Sequence, residues 1–322
     1  TRDLAWNDHS ACAFFQQMLV EQPSFVLPEQ PMEEAKELGV CEKGGKIEIQ
    51  NEQFQLEFDR VRGVISSYKV GGEALIVKGA PMYLWRAPID NDRNTKPMWE
   101  EELVYTASNV VRSVEVNEQS DKVVIKCSQI CAPFNREWKI LYQTTYTVCP
   151  NGEVTIELSG TPTGKLPESL PRIGLRFALD GGCSQLCWYG RGPEESYADS
   201  KEGMAKGIFR RSVEENYFPY VTPQENGSHI DTRWLMVQRE SGAALCVAAQ
   251  QSLSFSALYF SPEQLTQATH SAQLFKEDEV TLMLDYRHTG LSTASCGPDC
   301  LEKDRLKPEP FSFCWKLFGI GC

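Results

Sequence analysis

Hydrophobic and polar residues alternate with a period of two along most of the chain. Phe54, Leu56 and Phe58, for example, are separated by Gln55 and Glu57. This period is typical of a β-strand with one buried face, and helical periodicity is almost absent. Many strands at near-regular spacing, with turn residues between them, predict an all-β fold built as a sandwich or a barrel. We predict strands over 46–49, 53–58, 64–65, 74–77, 123–127, 138–148, 154–158, 173–179, 243–249, 253–260, 280–286 and 311–318.

Local turn and helix signals interrupt this alternation. Two glycines at 71–72 lie between apolar segments and predict a β-hairpin. The sequence Ser-Pro-Glu-Gln at 261–264 supplies a capping serine, a proline in the first turn and a glutamine three residues after the cap. These features predict a helix that ends near Thr269. Shorter helical turns are predicted at 33–38 and 99–103.

The first 40 residues differ from the rest of the chain. Their apolar residues are irregularly spaced, and their prolines favour an extended backbone. We therefore predict that residues 1–40 are the tail of a preceding domain plus a linker, and that residues 41–322 form one large domain. The chain begins with Thr1 instead of methionine, which indicates a cut inside a longer polypeptide.

The amino-acid composition argues against several classes of protein. Of the 322 residues, 41% are hydrophobic and 24% are charged, which excludes a disordered chain. No apolar segment approaches the roughly 20 residues that a membrane-spanning helix needs, so no membrane partner is expected. The net charge of −12 repels the phosphate backbone of nucleic acids. A neutral ligand such as a sugar suits this charge better.

The chain contains twelve cysteines, and their spacing bears on disulfides and metals. The C-x2-C and H-x3-H spacings of zinc sites do not occur. Cys149, Cys246 and Cys314 lie in apolar stretches, where a free cysteine behaves as a small hydrophobe. We therefore predict reduced and buried thiols, no metal site in this chain, and a cytoplasmic location.

The sequences of common catalytic sites are absent. The chain has no G-x-S-x-G, H-E-x-x-H, P-loop or dinucleotide-binding sequence. Its four histidines are His9, His229, His270 and His288. This small number limits any mechanism that needs several imidazoles.

The first of three polar segments is W-R-A-P-I-D-N-D-R-N at 85–94. Arg86 can form a fixed charge network with Asp90 and Asp92, since guanidinium–carboxylate pairs hold a loop in place. Asn91 lies between the two acids, but the glycine and the distal glutamate of an EF-hand calcium loop are missing. Two interpretations stay open: a salt-bridged turn, or a loop at the rim of a sugar site.

The second polar segment is W-Y-G-R-G-P-E-E-S-Y. Gly190, Gly192 and Pro193 predict a tight loop, and Glu194, Glu195 and the aromatic residues are types found in sugar sites. A retaining glycosidase needs two carboxyl groups about 5 Å apart. Adjacent glutamates point in different directions, so this pair favours a structural loop over a catalytic pair.

The third polar segment is Y-F-P-Y-V-T-P-Q-E-N-G, followed by D-T-R-W. Asn226 and Gly227 favour a turn. Glu225 and Arg233 are expected to form an ion pair across it. A structural turn and a ligand-binding loop both remain open for this segment.

Four sequences occur in order along the chain: R-A-P-I-D-N-D, Y-G-R-G-P-E-E-S-Y, P-Y-V-T-P-Q-E-N-G and D-T-R-W-L. In this order and at these separations they closely resemble the C-terminal region, the small chain or fifth domain, of bacterial glycoside hydrolase family 2 β-galactosidases. The resemblance runs from Leu4-Ala5-Trp6, similar to the end of an immunoglobulin-like domain, to the strand at 311–318. It implies a large antiparallel β-supersandwich that is galactose-mutarotase-like.

The resemblance also implies a function, the hydrolysis of terminal β-D-galactosides. In that family, two glutamates on a catalytic TIM-barrel domain carry a retaining mechanism. This domain completes the wall of the active site, so no catalytic residue is expected in this chain and the chain alone is expected to be inactive. No cofactor is expected here, although a magnesium or sodium ion fits the complete enzyme. The implied partners are the barrel domain, a β-galactoside and further copies of the enzyme in a homo-oligomer.

The resemblance assigns substrate-binding roles at that wall to Arg86, Asp90, Asn91, Asp92 and Cys296. Many family members have a tryptophan where this chain has Cys296, within S-C-G-P. A thiol offers little stacking area compared with an indole, so contacts with the sugar are expected to differ. The residues expected to structure the loops are Gly190, Gly192, Pro193, Glu194, Glu225, Asn226 and Arg233.

Two other functions remain open on the sequence alone. A free-standing aldose mutarotase would need a histidine and glutamate acid–base pair, and His229, His270 and His288 are its candidates. A carbohydrate-binding protein without catalysis is the other alternative.

Overall fold

Strands make up most of the regular structure in residues 37–79 and 81–321, which are the residues that the computed structural model describes. Seventeen strands occur in these ranges: β1 (Gly39–Lys43), β2 (Lys46–Gln50), β3 (Phe54–Asp59), β4 (Val64–Val70), β5 (Glu73–Lys78), β6 (Met82–Tyr83), β7 (Ser108–Glu118), β8 (Val123–Ala132), β9 (Lys139–Val148), β10 (Val154–Thr163), β11 (Arg172–Asp180), β12 (Cys183–Gly192), β13 (Ala205–Ser212), β14 (His229–Arg239), β15 (Ala244–Leu258), β16 (Glu279–His288) and β17 (Phe311–Ile320).

The helices in the described ranges are short. The α-helices are α1 (Lys96–Glu101), α2 (Val213–Asn216) and α3 (Pro262–Gln267). Single 3-10 turns occur at Asp90–Arg93, Val104–Thr106, Ser271–Gln273 and Glu302–Asp304. The prediction of an all-β fold is confirmed.

Alternation in the sequence becomes alternation in burial. Along β9, for example, Ile140, Tyr142, Thr144, Tyr146 and Val148 are buried, while the intervening side chains are exposed or half-buried. Successive side chains of a strand point to opposite faces, so the apolar set is removed from water and the polar set remains solvated.

The strands pair antiparallel in a long curled sheet. One path through it runs β7-β8-β9-β10-β17-β15-β14-β12-β13. A second path leaves β15 through β16, β11 and β5 to β4, β3, β2 and β1. The strand β15 connects the two paths, because Ala244–Ala249 pairs with β17 and Ser254–Leu258 pairs with β16.

The buried hydrophobic residues form one large core and a small second cluster. The largest fully buried side chains include Trp99, Trp138, Trp188 and Trp315. The Trp99 indole N–H donates to the Ser169 carbonyl at 2.9 Å, so the polar atom of this large apolar side chain keeps a partner.

Several local predictions can be compared with the structure. The hairpin is confirmed, with β4 and β5 on either side of Gly71-Gly72. The helix after Ser261 is confirmed as α3 and ends at Gln267, two residues early. The turn predicted at 99–103 begins earlier, as α1. The turn predicted at 33–38 falls mostly on residues 1–36, which lie outside the described ranges, as does most of the predicted 1–40 tail.

The ten cysteines in the described ranges are free, and six of them are buried. Burial raises the pKa of the Cys131 thiol to about 12, which keeps it protonated and unreactive at neutral pH. No helix in the described ranges is long and apolar enough to cross a membrane.

Candidate functional site

Two loops that are far apart in the sequence lie side by side. We call residues 86–94 the DND loop and residues 291–299 the SCGP loop. Asn91 Nδ2 donates to the Ser292 carbonyl at 3.0 Å, and Asn91 Oδ1 accepts from the Ser295 backbone N–H at 3.1 Å. The amide of Asn91 therefore bridges the two loops with both its donor and its acceptor.

A buried ion pair holds the base of the DND loop. Arg86 Nη2 donates to Asp92 Oδ1 at 2.5 Å, and the two side chains are 0% and 2% exposed. The other Asp92 oxygen accepts from the Ile89 backbone N–H at 3.0 Å. Arg86 Nη1 also donates to the Thr289 carbonyl at 2.7 Å, just before the SCGP loop. The charge network expected from the sequence is therefore present between Arg86 and Asp92, whose charged atoms are closed to solvent, whereas Asp90 is exposed and lies outside it.

A second buried arginine extends this arrangement. Arg172 Nη2 donates to Glu225 Oε1 at 2.6 Å, and Arg172 Nε lies 3.5 Å from Asp285 Oδ1. His288 Nε2 lies 3.6 Å from Glu225 Oε1, and His288 Nδ1 lies 3.1 Å from Arg86 Nη1. We call the six connected side chains the buried ion cluster: Arg86, Asp92, Arg172, Glu225, Asp285 and His288.

Burial and neighbouring charges shift the acid–base behaviour of this cluster. Burial alone would raise the pKa of Glu225, but Arg172, His288 and Arg86 together lower it to about 2. Burial raises the pKa of Asp285 to about 7, against the opposing effect of Arg172. Burial lowers the pKa of His288 to about 4, so this imidazole is neutral at pH 7. Glu225 is therefore the firmly ionised partner of Arg172.

A glycine makes room for the buried carboxylate of Asp285. A Cβ at Gly174, on β11, would lie 2.1 Å from Asp285 Oδ1 on β16. Any side chain at this position would displace Asp285 from Arg172.

An exposed aspartate fixes the start of the SCGP loop. Asp199 Oδ1 accepts from the Leu291 N–H at 2.9 Å, and Asp199 Oδ2 accepts from the Ser292 N–H at 2.6 Å. A Cβ at Gly290 would lie 2.5 Å from Asp199 Oδ2, so glycine is needed for this close approach. Ser292 itself has a φ of +62°, an uncommon conformation that these bonds help to hold.

The two loops border a cleft of about 990 Å³. Asn91, Ser292 and Asp299 line it from the loops, and Ser254 and Tyr286 line it from the sheet. Carboxylate, amide and hydroxyl groups around one opening can hydrogen-bond the hydroxyls of a polyol, and the tyrosine ring offers an apolar surface.

The residues predicted at the wall divide into three groups by their burial. Arg86 and Asp92 are buried in the ion cluster, Asn91 is half-buried between the loops, and Asp90 and Cys296 are exposed. The five predicted residues lie on these two neighbouring loops, but only Asn91 lines the cleft, and Asp90 and Cys296 are exposed outside its lining.

The second polar segment forms a strand end more than a loop. Gly190 and Gly192 lie inside β12, and only Pro193 and Glu194 follow it as exposed residues. A Cβ at Gly190 would lie 2.5 Å from the Thr232 hydroxyl on β14. These glycines therefore allow neighbouring strands to approach closely, which the prediction of a tight loop missed.

The two adjacent glutamates point in different directions, as expected. Glu194 accepts from Arg211 at 3.0 Å on the surface. Glu195 accepts from the Tyr220 hydroxyl and from the Gly227 backbone N–H. Glu195 therefore holds the third polar segment, whereas Glu194 contacts β13.

The expected pairing of Glu225 with Arg233 is wrong. Glu225 binds Arg172 in the buried ion cluster, while Arg233 is exposed on β14 and donates to the Gln250 carbonyl at 2.7 Å. The physical reason is burial, since a carboxylate that is 4% exposed needs a buried cation as its partner. Asn226 does structure its loop, because its Oδ1 accepts from the Phe218 N–H at 3.1 Å.

Three important residues were missed by reading the sequence. Arg172 and Asp285 lie in strands that read as ordinary apolar segments, and Asp199 follows the second polar segment by two residues. A charged residue inside an apolar strand, such as Asp285 within 280–286, is the signal that could have found the buried pair.

The three histidines in the part of the chain that the structure describes do not form an accessible acid–base site. His288 lies beside Glu225, but their side chains are 2% and 4% exposed within the ion cluster. His229 is fully buried against Trp188, and burial lowers its pKa to about 3. His270 is exposed and distant in sequence from both. Within residues 37–79 and 81–321, no group of three or more His, Cys, Asp or Glu side chains is placed to hold a metal ion.

Comparison with solved structures gives similar antiparallel folds at low sequence identity. A galactose mutarotase related enzyme from Lactobacillus acidophilus matches with a TM-score of 0.47 and 11% identity, over 86% of this chain and 97% of that protein. A galactose 1-epimerase from Lactobacillus acidophilus NCFM matches with a TM-score of 0.48 and 9% identity, over 88% of this chain and 98% of that protein.

Relatives found by sequence are more similar to this chain than the solved structures are. A β-galactosidase from Actinobacillus pleuropneumoniae is 29% identical over 96% of this chain, and one from Priestia megaterium is 31% identical over 76% of it. This chain covers 30% and 23% of those two proteins, so it spans less than a third of each relative. Residues 50–317 match the family described as "Beta galactosidase small chain". The chain therefore belongs to the β-galactosidase small-chain family.

Proposed function

We propose that this chain is the C-terminal part of a retaining β-galactosidase that hydrolyses terminal β-D-galactosides. In this proposal the DND and SCGP loops complete one wall of an active site whose catalytic glutamates lie in a separate TIM-barrel domain. The observation that carries the proposal is the pair of loops, which are tied together by Asn91 at the edge of a polar cleft.

The lengths of the relatives support a partner domain. The chain matches less than a third of each β-galactosidase described above. The remaining two thirds or more of such a protein is large enough for a catalytic barrel of typically about 250 residues.

The four carboxylates of the two pairs described above suit a structural role. A retaining glycosidase needs two accessible carboxyl groups about 5 to 5.5 Å apart, on either side of the scissile bond. Glu225 and Asp285 flank Arg172, but their side chains are 4% and 1% exposed. Glu194 and Glu195 are engaged by other side chains. These placements favour catalysis by groups outside this chain.

The proposal gives different tasks to the buried and exposed parts of the loops. Arg86 and Asp92 are positioning residues, because their ion pair is closed to solvent. Asp90 is exposed and available to accept a hydrogen bond from a sugar hydroxyl or from the barrel domain. Cys296 is exposed on the SCGP loop, where its thiol leaves more space than an indole would.

Hydrolysis of a nitrophenyl β-galactoside tests this proposal. Three preparations are compared: this chain alone, a complete β-galactosidase that ends in this chain, and the same enzyme without it. We expect hydrolysis only from the complete enzyme, because the catalytic carboxylate pair and the wall are then both present.

Two outcomes would contradict the proposal. Hydrolysis by the chain alone that is abolished by Glu225→Gln would place the chemistry in this domain. Full activity of the enzyme without this chain would show that the wall is not needed.

We also propose a reducing, cytoplasmic setting for the protein. The free and mostly buried cysteines support it, since disulfides are rare in that compartment. Thiol titration in denaturant should find nearly all twelve cysteines free, and a count near zero would contradict this location.

A further inference from the structure

Three cavities adjoin one another in a row, and we call them together the trough. The cleft beside the DND and SCGP loops shares Gln251 with a groove of about 480 Å³. That groove shares Gln143 and Ser159 with a third cavity of about 470 Å³. The trough therefore begins at the candidate site and continues across β17, β10 and β9 to β8.

A row of small polar side chains forms the floor of the trough. Ser128 is paired with Gln143, Gln143 with Ser159, and Ser159 with Ser312 on successive antiparallel strands. Paired residues point to the same face of a sheet. Strands lie about 4.8 Å apart, so this row alone spans roughly 14 Å. That length exceeds what a single sugar ring needs.

An apolar row runs beside the polar one. Ile130, Leu141 and Thr161 are paired across the same strands, two residues further along each. Leu141 is 42% exposed, which is unusual for a leucine in the middle of a strand. A polar row beside an apolar row matches a pyranose ring, which presents hydroxyl groups at its edge and C–H groups on its face.

Charged side chains, Asp199, Asp231 and Arg305 among them, line the cleft, but the rest of the trough is nearly free of charge. Beyond the cleft, Glu157 lines the groove of about 480 Å³ and Arg112 lines the third cavity, and every other lining residue of these two is uncharged. The whole chain carries a net charge of −12 and is 24% charged. A surface of amides and hydroxyls on such a chain fits a neutral, hydrogen-bonding ligand better than an ion, a nucleic acid or a charged protein.

We propose that the trough binds a neutral oligosaccharide whose terminal galactosyl end lies in the cleft. The substrate class is then a β-linked galacto-oligosaccharide longer than a disaccharide, with its remaining sugar units along the row from Gln251 to Ser128. This inference rests on the proposed function for the direction of the sugar chain. The binding itself depends only on residues of this chain.

Calorimetric titration of the 322-residue chain tests the trough directly. The probes are a β-1,4-linked galactotetraose and free galactose. We expect the tetrasaccharide to bind more tightly than galactose. Gln143→Ala should weaken tetrasaccharide binding about fivefold, which corresponds to the net loss of one hydrogen bond. Ser159→Arg puts a long charged side chain in the middle of the row and should weaken it by at least about tenfold.

The matched control is Gln55→Ala. Gln55 is also an exposed glutamine in a strand, but it lies on β3 and outside the trough. We expect this variant to bind the tetrasaccharide as the unchanged chain does. Circular dichroism of each variant separates a lost site from a lost fold.

Two results would overturn the proposal. One is equal binding of tetrasaccharide and galactose, or no binding of either. The other is a Ser159→Arg chain that is folded and binds the tetrasaccharide normally. A Ser159→Arg change that instead disrupts subunit assembly in sedimentation would assign the trough to a protein interface, and it would likewise reject the sugar.

The complete enzyme separates this inference from the proposed function. A nitrophenyl galactoside has a single sugar and does not extend into the trough. Ser159→Arg should therefore leave kcat/KM for this substrate unchanged and raise KM for the tetrasaccharide at least about tenfold. If the complete enzyme does not hydrolyse galactosides, the proposed function is wrong. Titration of the 322-residue chain would still test the trough independently.

Discussion

The DND loop contains two kinds of acidic residue only two positions apart. Asp92 is 2% exposed and forms an ion pair with Arg86, while Asp90 is exposed at the tip of the same turn. The sequence R-A-P-I-D-N-D presents both as equivalent members of one motif. Asp92 therefore holds the loop in place, whereas Asp90 is exposed and accessible to a ligand.

Substitutions at the buried Asp92 and at the exposed Asp90 should have different effects on stability and on activity. A buried ion pair contributes little net stability, but removal of one partner leaves an uncompensated charge and is strongly destabilising. An exposed carboxylate contributes almost nothing to folding. Stability and substrate handling can therefore be measured as separate consequences of the same loop.

The largest effect is expected at the centre of the buried ion cluster. Arg172→Met removes the cation that Glu225 and Asp285 share and should lower the free energy of unfolding by about 5 kcal/mol. Urea unfolding of both proteins measures this change in the free energy of unfolding. The matched control is Arg176→Met on the same strand, whose ion pair with Glu263 is exposed and should contribute less than about 1 kcal/mol. Equal losses in both variants would contradict a special role for the buried arginine.

A smaller loss is expected for the ion pair under the DND loop. Asp92→Asn keeps the shape of the side chain but removes its charge. It should lower the free energy of unfolding by about 3 kcal/mol. The loss is smaller because Arg86 keeps its bond to the Thr289 carbonyl. Asp90→Asn is the matched control and should not change the unfolding free energy. A stable Asp92→Asn variant would show that this pair is not a support of the loop.

The pH dependence of stability offers a third test. Asp285 has a pKa raised from 3.8 to about 7 by burial, so its folded form retains a proton that the unfolded form loses above about pH 4. Stability from this group is therefore fully present below pH 3.8 and is lost as the pH rises towards 7.

Asp285→Asn removes that loss because the amide does not titrate. The unfolding free energy of the variant minus that of the unchanged chain should rise by about 3 kcal/mol between pH 4 and pH 7. Glu225 and His288, whose pKa values are lowered, act in the opposite direction in both proteins. A difference that stays flat or falls with pH would contradict the protonated state of Asp285.

Much of the fold could be predicted from the sequence because burial on one face imposes alternation. Residues 138–148 were predicted as a strand, and β9 occupies Lys139–Val148 with alternate buried residues. The Arg86–Asp92 pair was accessible too, because its partners are six residues apart in one segment. Strands, and pairs of residues that are close in the sequence, can therefore be predicted from local sequence.

The buried ion cluster could not be predicted in the same way. Arg172 and Glu225 are 53 residues apart, and they meet only because the sheet brings β11 close to the third polar segment. A local reading paired Glu225 with Arg233, which instead lies on the exposed side of β14. Partner choice here depends on burial and strand order, which are properties of the folded sheet.

We propose that Asp90, at the exposed start of the turn in the DND loop, belongs to the active-site wall. The most direct measurement is kcat/KM and Tm of the complete enzyme with Asp90→Ala, compared with Asp121→Ala, an exposed aspartate in the turn between β7 and β8. We expect Asp90→Ala to lower kcat/KM for a nitrophenyl galactoside about tenfold with an unchanged Tm, and we expect Asp121→Ala to change neither. Normal kinetics for Asp90→Ala, or a lower Tm with normal kinetics per folded molecule, would contradict this proposal.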